Sequence, residues 1–425
     1  MKDTHTLGPW LKGFPPLQAP LRLEDVARQG WTLHGTLLPM PLAVIRQAAL
    51  AHNIQWMQDF ATARGVQMAP HGKTTMSPQL FKRQLDAGAW GLTFANVHQL
   101  RLGLAAGARR ALIANQVVAH ADLALLLELR RRHGGPEIAF FVDSQAQLDL
   151  IASHWQTLGT GEAKLDVLIE LGTSRCGVRD HDTALALARA LTTHPALRLR
   201  GVGFYEGLQV VGETGPDAAL MQQWQARVEA LLAAIDAEGL ISVQPLWLSG
   251  GGSALFDLVA PVIAARPGPT RRIGLLRSGC YVCHDHAHYG RYLQAMDARM
   301  ATPLAEPSLQ PALEVWTQVL SCPEPGLALL NAGRRDVSFD QGWPVPVWHG
   351  REGQRAKAPA GWQVTGLNDQ HAYLRWDPAT GDGPAVGERV ALGPSHPCTT
   401  FDKWAWMAVV DEDDRVVDAI TTQFS

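Results

Sequence analysis

The feature that most constrains the fold is a regular alternation of short apolar runs and helix-like stretches between about residues 40 and 290. Helical patterns such as those of residues 77–88, 121–133 and 218–239 follow the apolar runs. Eight strands, each followed by a helix, predict an α/β fold of the (β/α)8 TIM-barrel type, with a doubly wound sheet as the alternative. The eight predicted strands are VQMAPH (66–71), WGLTFA (90–95), ALIANQ (111–116), IAFFVD (138–143), LDVLIEL (165–171), LRGVGFYE (199–206), PLWLSG (245–250) and IGLLRSG (273–279).

The pattern changes after residue 290, where strand-like runs follow one another without helices between them. This pattern predicts a C-terminal antiparallel β-domain in which Pro/Gly-rich connections, such as GWPVPVWHG (342–350), separate the strands. We therefore predict an N-terminal segment over 1–40 that packs with the β-domain, a barrel over 41–290 and the β-domain over 291–425. The predicted strands of the β-domain are 313–321, 327–333, 362–369, 371–376, 388–393 and 405–412.

Composition narrows the range of partners. The chain is 46% hydrophobic and 18% charged, which is typical of a globular protein with a large core, and its net charge is −3. No basic region is present to attract nucleic acid, and no charge-free run reaches the roughly 18 residues of a membrane span. An N-terminus without an apolar signal region and five scattered cysteines favour the reducing cytoplasm. We expect a cytoplasmic homodimer that binds neither nucleic acid nor membrane.

Catalytic groups of such barrels lie where the strands end at the carboxyl side. Lys73 follows the first strand, and partial burial there would lower its pKa and free its amine for Schiff-base chemistry. A surface lysine is the alternative. Arg175 follows the fifth strand, where it can hold a phenolate or carboxylate or form a surface ion pair. Tyr205 ends the sixth strand and can flank a ring or be a buried tyrosine.

The loop after the seventh strand is rich in glycine. It reads Leu-Ser-Gly-Gly-Gly-Ser over 248–253 and lies between an apolar strand and a helix-like stretch. Gly251 and Gly252 let backbone N–H groups approach an anion, and barrels favour phosphate sites in the loops after strands seven and eight. Tyr281, after the eighth strand, can complete this cradle. A lysine and a phosphate cradle together suggest pyridoxal 5′-phosphate (PLP) as cofactor.

A second candidate site lies in the β-domain. His396 and Cys398 share one face if their segment is extended, and an imidazole with a thiolate suits zinc. His284, His286 and His288 form a rival candidate for a metal site, with a solvated His-rich loop as the alternative reading.

Six motifs together resemble one family. The chain is similar to the fold-type III PLP enzymes of the D-serine dehydratase and D-threonine aldolase group, also called alanine-racemase-like proteins. The resemblance covers roughly residues 35 to 405, and the motifs appear in chain order. They are PHGKTT (70–75), GTSRCGV (172–178), LSGGGS (248–253), SGCYVCHD (278–285), LNDQH (367–371) and SHPCTT (395–400).

The resemblance implies a role for each candidate residue. Lys73 matches the Schiff-base lysine, Arg175 the arginine near the phenolic oxygen of PLP, and Tyr205 the aromatic side chain beside the pyridine ring. Gly251, Gly252 and Tyr281 match the phosphate cradle of the family. His396 and Cys398 match its metal-binding pair.

Two departures from the aldolase pattern bear on the reaction. The dehydratases of the group resemble this chain in having cysteine at the second metal position, where the aldolases tend to have aspartate. The aldolases also use a histidine shortly after the sixth strand, whereas residues 205–215 contain none. The resemblance therefore implies a dehydratase that requires PLP and Zn²⁺ (Mn²⁺ or Mg²⁺ as substitutes) and acts on a D-β-hydroxy amino acid such as D-serine or D-threonine.

The other reactions that we consider differ in what they require. Retro-aldol cleavage to glycine and an aldehyde is the closest alternative. A racemase needs a second base and no metal, and a cofactor carrier of this fold lacks a β-domain. A metal hydrolase built on His284, His286 and His288 represents a different class of enzyme.

Overall fold

Twenty strands and ten α-helices are present in the computed structural model, which describes residues 6–158, 161, 163–266, 268, 270–300, 307–351 and 354–424. The strands are β1 (Thr6–Leu7), β2 (Leu21–Arg22), β3 (Leu42–Arg46), β4 (Gln67–Met68), β5 (Leu92–Phe94), β6 (Arg110–Gln116), β7 (Glu137–Val142), β8 (Leu165–Leu171), β9 (Leu197–Phe204), β10 (Leu246–Gly250), β11 (Arg272–Leu276), β12 (Leu313–Glu324), β13 (Leu327–Leu330), β14 (Val345–Arg351), β15 (Gln354–Lys357), β16 (Gln363–Leu367), β17 (Ala372–Arg375), β18 (Arg389–Gly393), β19 (Trp406–Val410) and β20 (Val416–Thr421). The helices are α1 (Gln47–Ala63), α2 (Pro78–Asp86), α3 (Val97–Ala105), α4 (His120–Arg132), α5 (Gln145–Leu158), α6 (His181–Thr193), α7 (Thr214–Ala237), α8 (Phe256–Ile263), α9 (His288–Arg299) and α10 (Cys398–Phe401).

Strands β4 to β11 form one parallel sheet in which β5 to β11 each pair with their neighbours in sequence and β11 pairs with β4. The gap between β4 and β5 is bridged by a parallel pairing of His71 with Thr93 and by a 2.9 Å hydrogen bond from the Thr93 N–H to the Pro70 carbonyl. The sheet is therefore a barrel, and the predicted fold class is confirmed against the doubly wound alternative. All eight predicted barrel strands are present, with ends that differ by a few residues.

The side chains of the barrel strands alternate between two cores, because successive residues of a strand point to opposite faces. One set packs outward against the helices. The other set fills the barrel interior with seven buried side chains, which are Ala69, Leu112, Ala139, Phe141, Leu168, Trp247 and Leu275. The interior is packed at its centre, so the carboxyl ends of the strands are left to form a site.

In the part of the chain that the structure describes, strands β1 and β2 pair only with each other, and the other remaining strands form a mostly antiparallel β-sheet that includes β3, from the N-terminal part of the chain. Strand β3 pairs antiparallel with β12 and parallel with β19. The segment before β3 packs its apolar side chains on this sheet, as Phe14 does against Trp31 and Trp406. The domain bounds at residues 40 and 290 stay a prediction.

The connection predicted over 342–350 is wrong, because β14 occupies most of it. Strand β14 pairs antiparallel with β15 and β18. The register shifts between Pro346 and Trp348, which accommodates a proline that has no N–H to donate to the ladder.

No helix in the described part of the chain combines the length and the apolar character that crossing a bilayer requires.

Candidate active site

The lysine at the end of the first barrel strand lies in a short turn at the barrel mouth. Residues Gly72–Thr74 form a single 3-10 turn directly after His71. The expectation that Lys73 is partly buried is wrong: its side chain is exposed, whereas those of Thr74 and Thr75 are buried. The reason is the shortness of β4, which ends five residues earlier and leaves the turn on the rim.

His71 is the half-buried neighbour of this lysine and stays neutral. Burial and the positive charges of Lys73, Arg277 and Arg175 hold the pKa of His71 well below its usual value. Its Nδ1 atom is buried and has no hydrogen-bond partner among the described residues. Three cations thus surround one uncharged imidazole, which makes this part of the mouth attractive to an anionic ligand.

Arg175 and Tyr205 lie together on the opposite side of the mouth. The Arg175 guanidinium is 5.0 Å from the centre of the Tyr205 ring, a cation–π contact. Both residues line one small depression with Glu170 and Cys176. Burial raises the pKa of Tyr205 to about 12, so its hydroxyl stays protonated at neutral pH. The arginine is exposed and therefore available to a ligand.

The glycine loop after β10 already holds an acidic side chain of the protein. The Gly251 and Gly252 N–H groups donate to the Glu206 carboxylate at 3.2 and 2.6 Å. Gly252 has φ +85, and a Cβ atom there would lie 2.5 Å from Leu276 Cδ1. The loop can therefore cradle an anionic oxygen, as predicted from its glycines. Its role as a phosphate site stays a prediction.

Arg277 was not singled out in the sequence but lies at the centre of the site. Its guanidinium donates to Ser249 Oγ at 2.6 Å and to the Phe204 carbonyl at 2.7 Å. Burial lowers its pKa to about 10, which still leaves it charged at neutral pH beside Glu206 and Glu170. An arginine directly after an apolar strand was the signal that could have identified it.

Tyr281 is buried beside helix α2. The hydrogen bond of its hydroxyl is with Gln84 Nε2, at 3.0 Å, and not with the glycine loop. Burial raises the pKa of this hydroxyl, which therefore stays protonated. Its assignment to the phosphate cradle stays a prediction.

His396 and Cys398 are close to each other, although their segment is not extended as expected. Pro397 has helical dihedral angles, and Cys398 begins helix α10. Proline has a φ near the helical value and is favoured where a helix starts, which explains the turn. Burial lowers the pKa of His396, but Cys398 and Asp340 outweigh this effect and raise the pKa to about 9.

Asp340 orients the histidine of this pair. His396 Nδ1 donates to Asp340 Oδ2 at 2.6 Å, and Thr399 Oγ1 donates to the other carboxylate oxygen at 2.7 Å. A carboxylate on one ring nitrogen leaves the other nitrogen free for a metal, an arrangement common in metal sites. No sequence pattern predicts the role of Asp340, which is 56 residues from His396.

The thiol of Cys398 links the β-domain to the barrel mouth. Its Sγ atom lies 3.3 Å from Thr74 Oγ1 and 3.5 Å from Cys280 Sγ. The hydrogen bond with Cys280 and the nearby imidazole of His396 lower the pKa of Cys398, which favours the thiolate that binds metals. The donor set of imidazole and thiolate fits zinc.

The His-rich segment does not form a metal site in this structure. His284 is buried and its Nδ1 atom bonds to the Asp285 carbonyl at 3.0 Å, whereas His288 lines a separate cavity with Tyr205. Among the described residues, three potential metal ligands whose ligand atoms lie within 4.8 Å of one another are found elsewhere. They are Asp143, Glu170 and Cys176.

Comparison with known proteins identifies the family. Residues 45–270, more than half of the chain, match the model of the alanine racemase N-terminal domain, and residues 312–410 match that of a putative serine dehydratase domain. The chain is 30% identical to a D-threonine aldolase of Arthrobacter sp., over 89% of this chain and 90% of that protein. It is 31% identical to the D-threo-3-hydroxyaspartate dehydratase of Delftia sp. HT23, over 87% and 93%.

Solved structures give the same result. The crystal structure of D-threonine aldolase from Filomicrobium marinum superimposes with a TM-score of 0.78 at 26% identity, covering 95% of this chain and 98% of that chain. Two mutants of a D-threo-3-hydroxyaspartate dehydratase have TM-scores of 0.73 and 0.71 at 26% and 25% identity, covering 95% and 93% of this chain and 99% and 100% of theirs. One replaces a histidine; the other replaces a cysteine two positions later and is in the metal-free form. The chain therefore belongs to the fold-type III PLP-dependent lyases, the family that includes these aldolases and dehydratases.

Proposed function

We propose that the chain is a PLP- and metal-dependent dehydratase of D-β-hydroxy amino acids such as D-serine or D-threonine, forming a 2-oxo acid and ammonia. One observation carries this proposal: Cys398 Sγ lies 3.3 Å from the hydroxyl of Thr74, the residue that follows Lys73. The lysine that would hold PLP and the thiol that would hold the metal thus lie at one barrel mouth. A relative that shares 31% identity is a dehydratase of this substrate class.

The barrel residues would hold the cofactor. We assign the covalent attachment to Lys73, the phosphate to the Gly251 and Gly252 amides, and contacts with the ring to Arg175 and Tyr205. The amides already accommodate a carboxylate, and cations surround the mouth, so the residues fit an anionic cofactor. Bound PLP stabilises the negative charge that remains on the substrate Cα when its proton leaves.

The β-domain residues would hold the metal. We assign His396 and Cys398 as ligands, with Asp340 fixing the imidazole orientation. The sulfur and nitrogen donors favour Zn²⁺ over Mn²⁺ or Mg²⁺. A bound ion of this kind is a Lewis acid that assists the departure of the β-hydroxyl.

The proposed dehydration consists of a proton transfer, a bond cleavage and a hydrolysis. The amine of Lys73, exposed at the mouth, accepts the Cα proton. The Cβ–O bond breaks, and the hydroxyl leaves with its electron pair and takes up one proton to form water. The released enamine is hydrolysed in solution to a 2-oxo acid and ammonia.

Retro-aldol cleavage is a second candidate, and one observation favours it. Residues 205–215 contain no histidine, but His288 at the start of α9 lines the same cavity of about 30 Å³ as Tyr205 and Glu206. A half-buried imidazole there can act as the base on a β-hydroxyl. A D-threonine aldolase of 30% identity is also a relative.

The product formed from D-threonine decides between the two reactions. Incubation of the PLP- and zinc-loaded enzyme should give 2-oxobutanoate and ammonia. Glycine and acetaldehyde as main products would show that the enzyme is an aldolase. His288→Ala refines the test, because it should abolish any aldolase side-reaction and leave the dehydration.

We also propose that the protein functions in the cytoplasm as a homodimer. All five cysteines are free thiols, including the pair that lies 3.5 Å apart, which is consistent with a reducing compartment. Sedimentation of the purified holoenzyme tests the dimer, and a monomer mass would contradict it.

A further inference from the structure

Two thiols from different parts of the chain lie next to each other at the metal pair. Cys280 belongs to the 3-10 turn Cys280–Val282 that follows the last barrel strand, and Cys398 begins helix α10 of the β-domain. Their sulfur atoms are 3.5 Å apart. Cys280 is buried, with 5% of its surface exposed, so its sulfur is withdrawn from solvent.

The sulfur–sulfur distance distinguishes a disulfide bond from two thiolates that bind one metal ion. A disulfide bond requires about 2.05 Å, far shorter than the distance observed. Two thiolates on one tetrahedral zinc, each about 2.3 Å from the ion, lie about 3.8 Å apart. The observed 3.5 Å is close to this separation. The three ligand atoms of Cys280, His396 and Cys398 are not all within 4.8 Å of one another, so binding of the ion would draw the His396 imidazole toward the two sulfur atoms.

We propose that Cys280 is a third protein ligand of the metal, so that the site is Cys280, His396 and Cys398. This inference rests on the proposed function and extends it. Two cysteines and one histidine form a known ligand set for catalytic zinc, which keeps the fourth tetrahedral position for water or substrate. A pair of ligands alone would leave the ion held by one short segment. The third ligand makes the metal a link between the barrel and the β-domain.

The ligand set also predicts which metal is preferred. Two thiolates disfavour the hard ions Mg²⁺ and Mn²⁺ and favour Zn²⁺ and Co²⁺. Cys398 Sγ also contacts Thr74 Oγ1, beside Lys73, so a metal held by this thiol would lie at the barrel mouth, where it would supply Lewis-acid chemistry close to the lysine.

The experiment counts sulfur ligands in the full-length protein, purified and loaded with one equivalent of Co²⁺ or Zn²⁺ under anaerobic reducing conditions. X-ray absorption of the unmodified protein should show two sulfur ligands, and one sulfur would overturn the proposal without any variant. In Cys280→Ala and Cys280→Ser, the thiolate-to-Co²⁺ charge-transfer absorbance should fall to about half, since one of two thiolates is lost.

The affinity for Zn²⁺, measured by competition with a chelator, should weaken on the order of 100-fold in both variants, because even changes beyond the ligands cost 10–100-fold. Cys283→Ala is the matched control: its thiol is buried in the same segment and lies in the hydrophobic core, so the sulfur count should not change. Unchanged affinity and absorbance in the Cys280 variants would overturn the proposal.

The visible absorbance of lysine-bound PLP is recorded in the same samples. It distinguishes a failure of the Cys280 proposal from a failure of the proposed function. A protein that binds PLP and one metal through a single sulfur contradicts the role of Cys280 alone. A protein that binds no metal at all contradicts the proposed function as well.

Discussion

The N–H group of Gly252 donates a 2.6 Å hydrogen bond to the carboxyl group of Glu206, so an acidic side chain of this protein occupies the glycine cradle. Glu206 is fully buried, and burial raises its pKa. A phosphate that uses the same amide must displace this carboxylate. The affinity for a cofactor phosphate at this loop therefore depends on the Glu206 side chain.

Replacing Glu206 with glutamine should therefore tighten PLP binding. Glutamine cannot ionise, so it competes less strongly for the two N–H groups and does not repel the phosphate; a gain of about 1 kcal/mol should raise affinity roughly fivefold. Fluorescence titration of the apoprotein with PLP measures the effect. Glu213→Gln, at an exposed position before α7, is the control. A weaker affinity in Glu206→Gln would mean that the carboxylate supports the holoenzyme.

Replacing Lys73 with alanine should abolish both the visible absorbance of lysine-bound PLP and the activity. The side chain is exposed, so the free energy of unfolding should change by less than about 0.5 kcal/mol. Lys82→Ala is the matched control, because Lys82 is an exposed lysine on α2 whose amine pairs with Asp86 at 2.8 Å. An intact absorbance band in Lys73→Ala would refute the assignment of the cofactor lysine.

Replacing Asp340 with asparagine should weaken metal binding by about 10–100-fold, because the imidazole of His396 loses the carboxylate that fixes its orientation. PLP binding should not change, since Asp340 is not among the residues assigned to the cofactor. Competition with a chelator gives the metal affinity. Asp369→Asn, an exposed carboxylate paired with Arg335, is the control. Equal affinities in both variants would contradict the orienting role.

The stability of the protein should fall as the pH decreases below about 6.5, in part because of His284. Burial lowers the pKa of this histidine from 6.5 to about 4. Between these values the unfolded chain binds a proton that the folded protein does not, so the free energy of unfolding falls by up to about 1.4 kcal/mol per pH unit.

Urea unfolding of the unmodified protein and of His284→Asn measures this contribution. Asparagine tolerates the φ of +46 at this position, so the substitution preserves the backbone. The loss of stability between about pH 7.5 and about pH 5 should be smaller in the variant by up to about 2 kcal/mol. Identical losses in the two proteins would show that His284 does not contribute.

Much of the barrel was determined by local sequence. Strands such as β8 and β10 are short apolar runs that end at chemically distinctive loops, and the period of two along a strand separates the interior from the helix-facing side chains. Lys73 and the glycine pair were predicted for the same reason: residues that follow the carboxyl ends of barrel strands lie at the barrel mouth.

Contacts between distant segments depend on how the folded elements pack. Cys280 and Cys398 are 118 residues apart, and their contact exists because the β-domain docks on the barrel mouth. Asp340 reaches His396, and Glu206 reaches the glycine amides, through the same kind of long-range packing. Sequence patterns report the period and chemistry of one segment at a time, whereas these contacts depend on how whole elements pack. Local patterns predict the barrel and its strand-end residues, whereas the docking of the β-domain decides which of those residues lie beside His396 and Cys398.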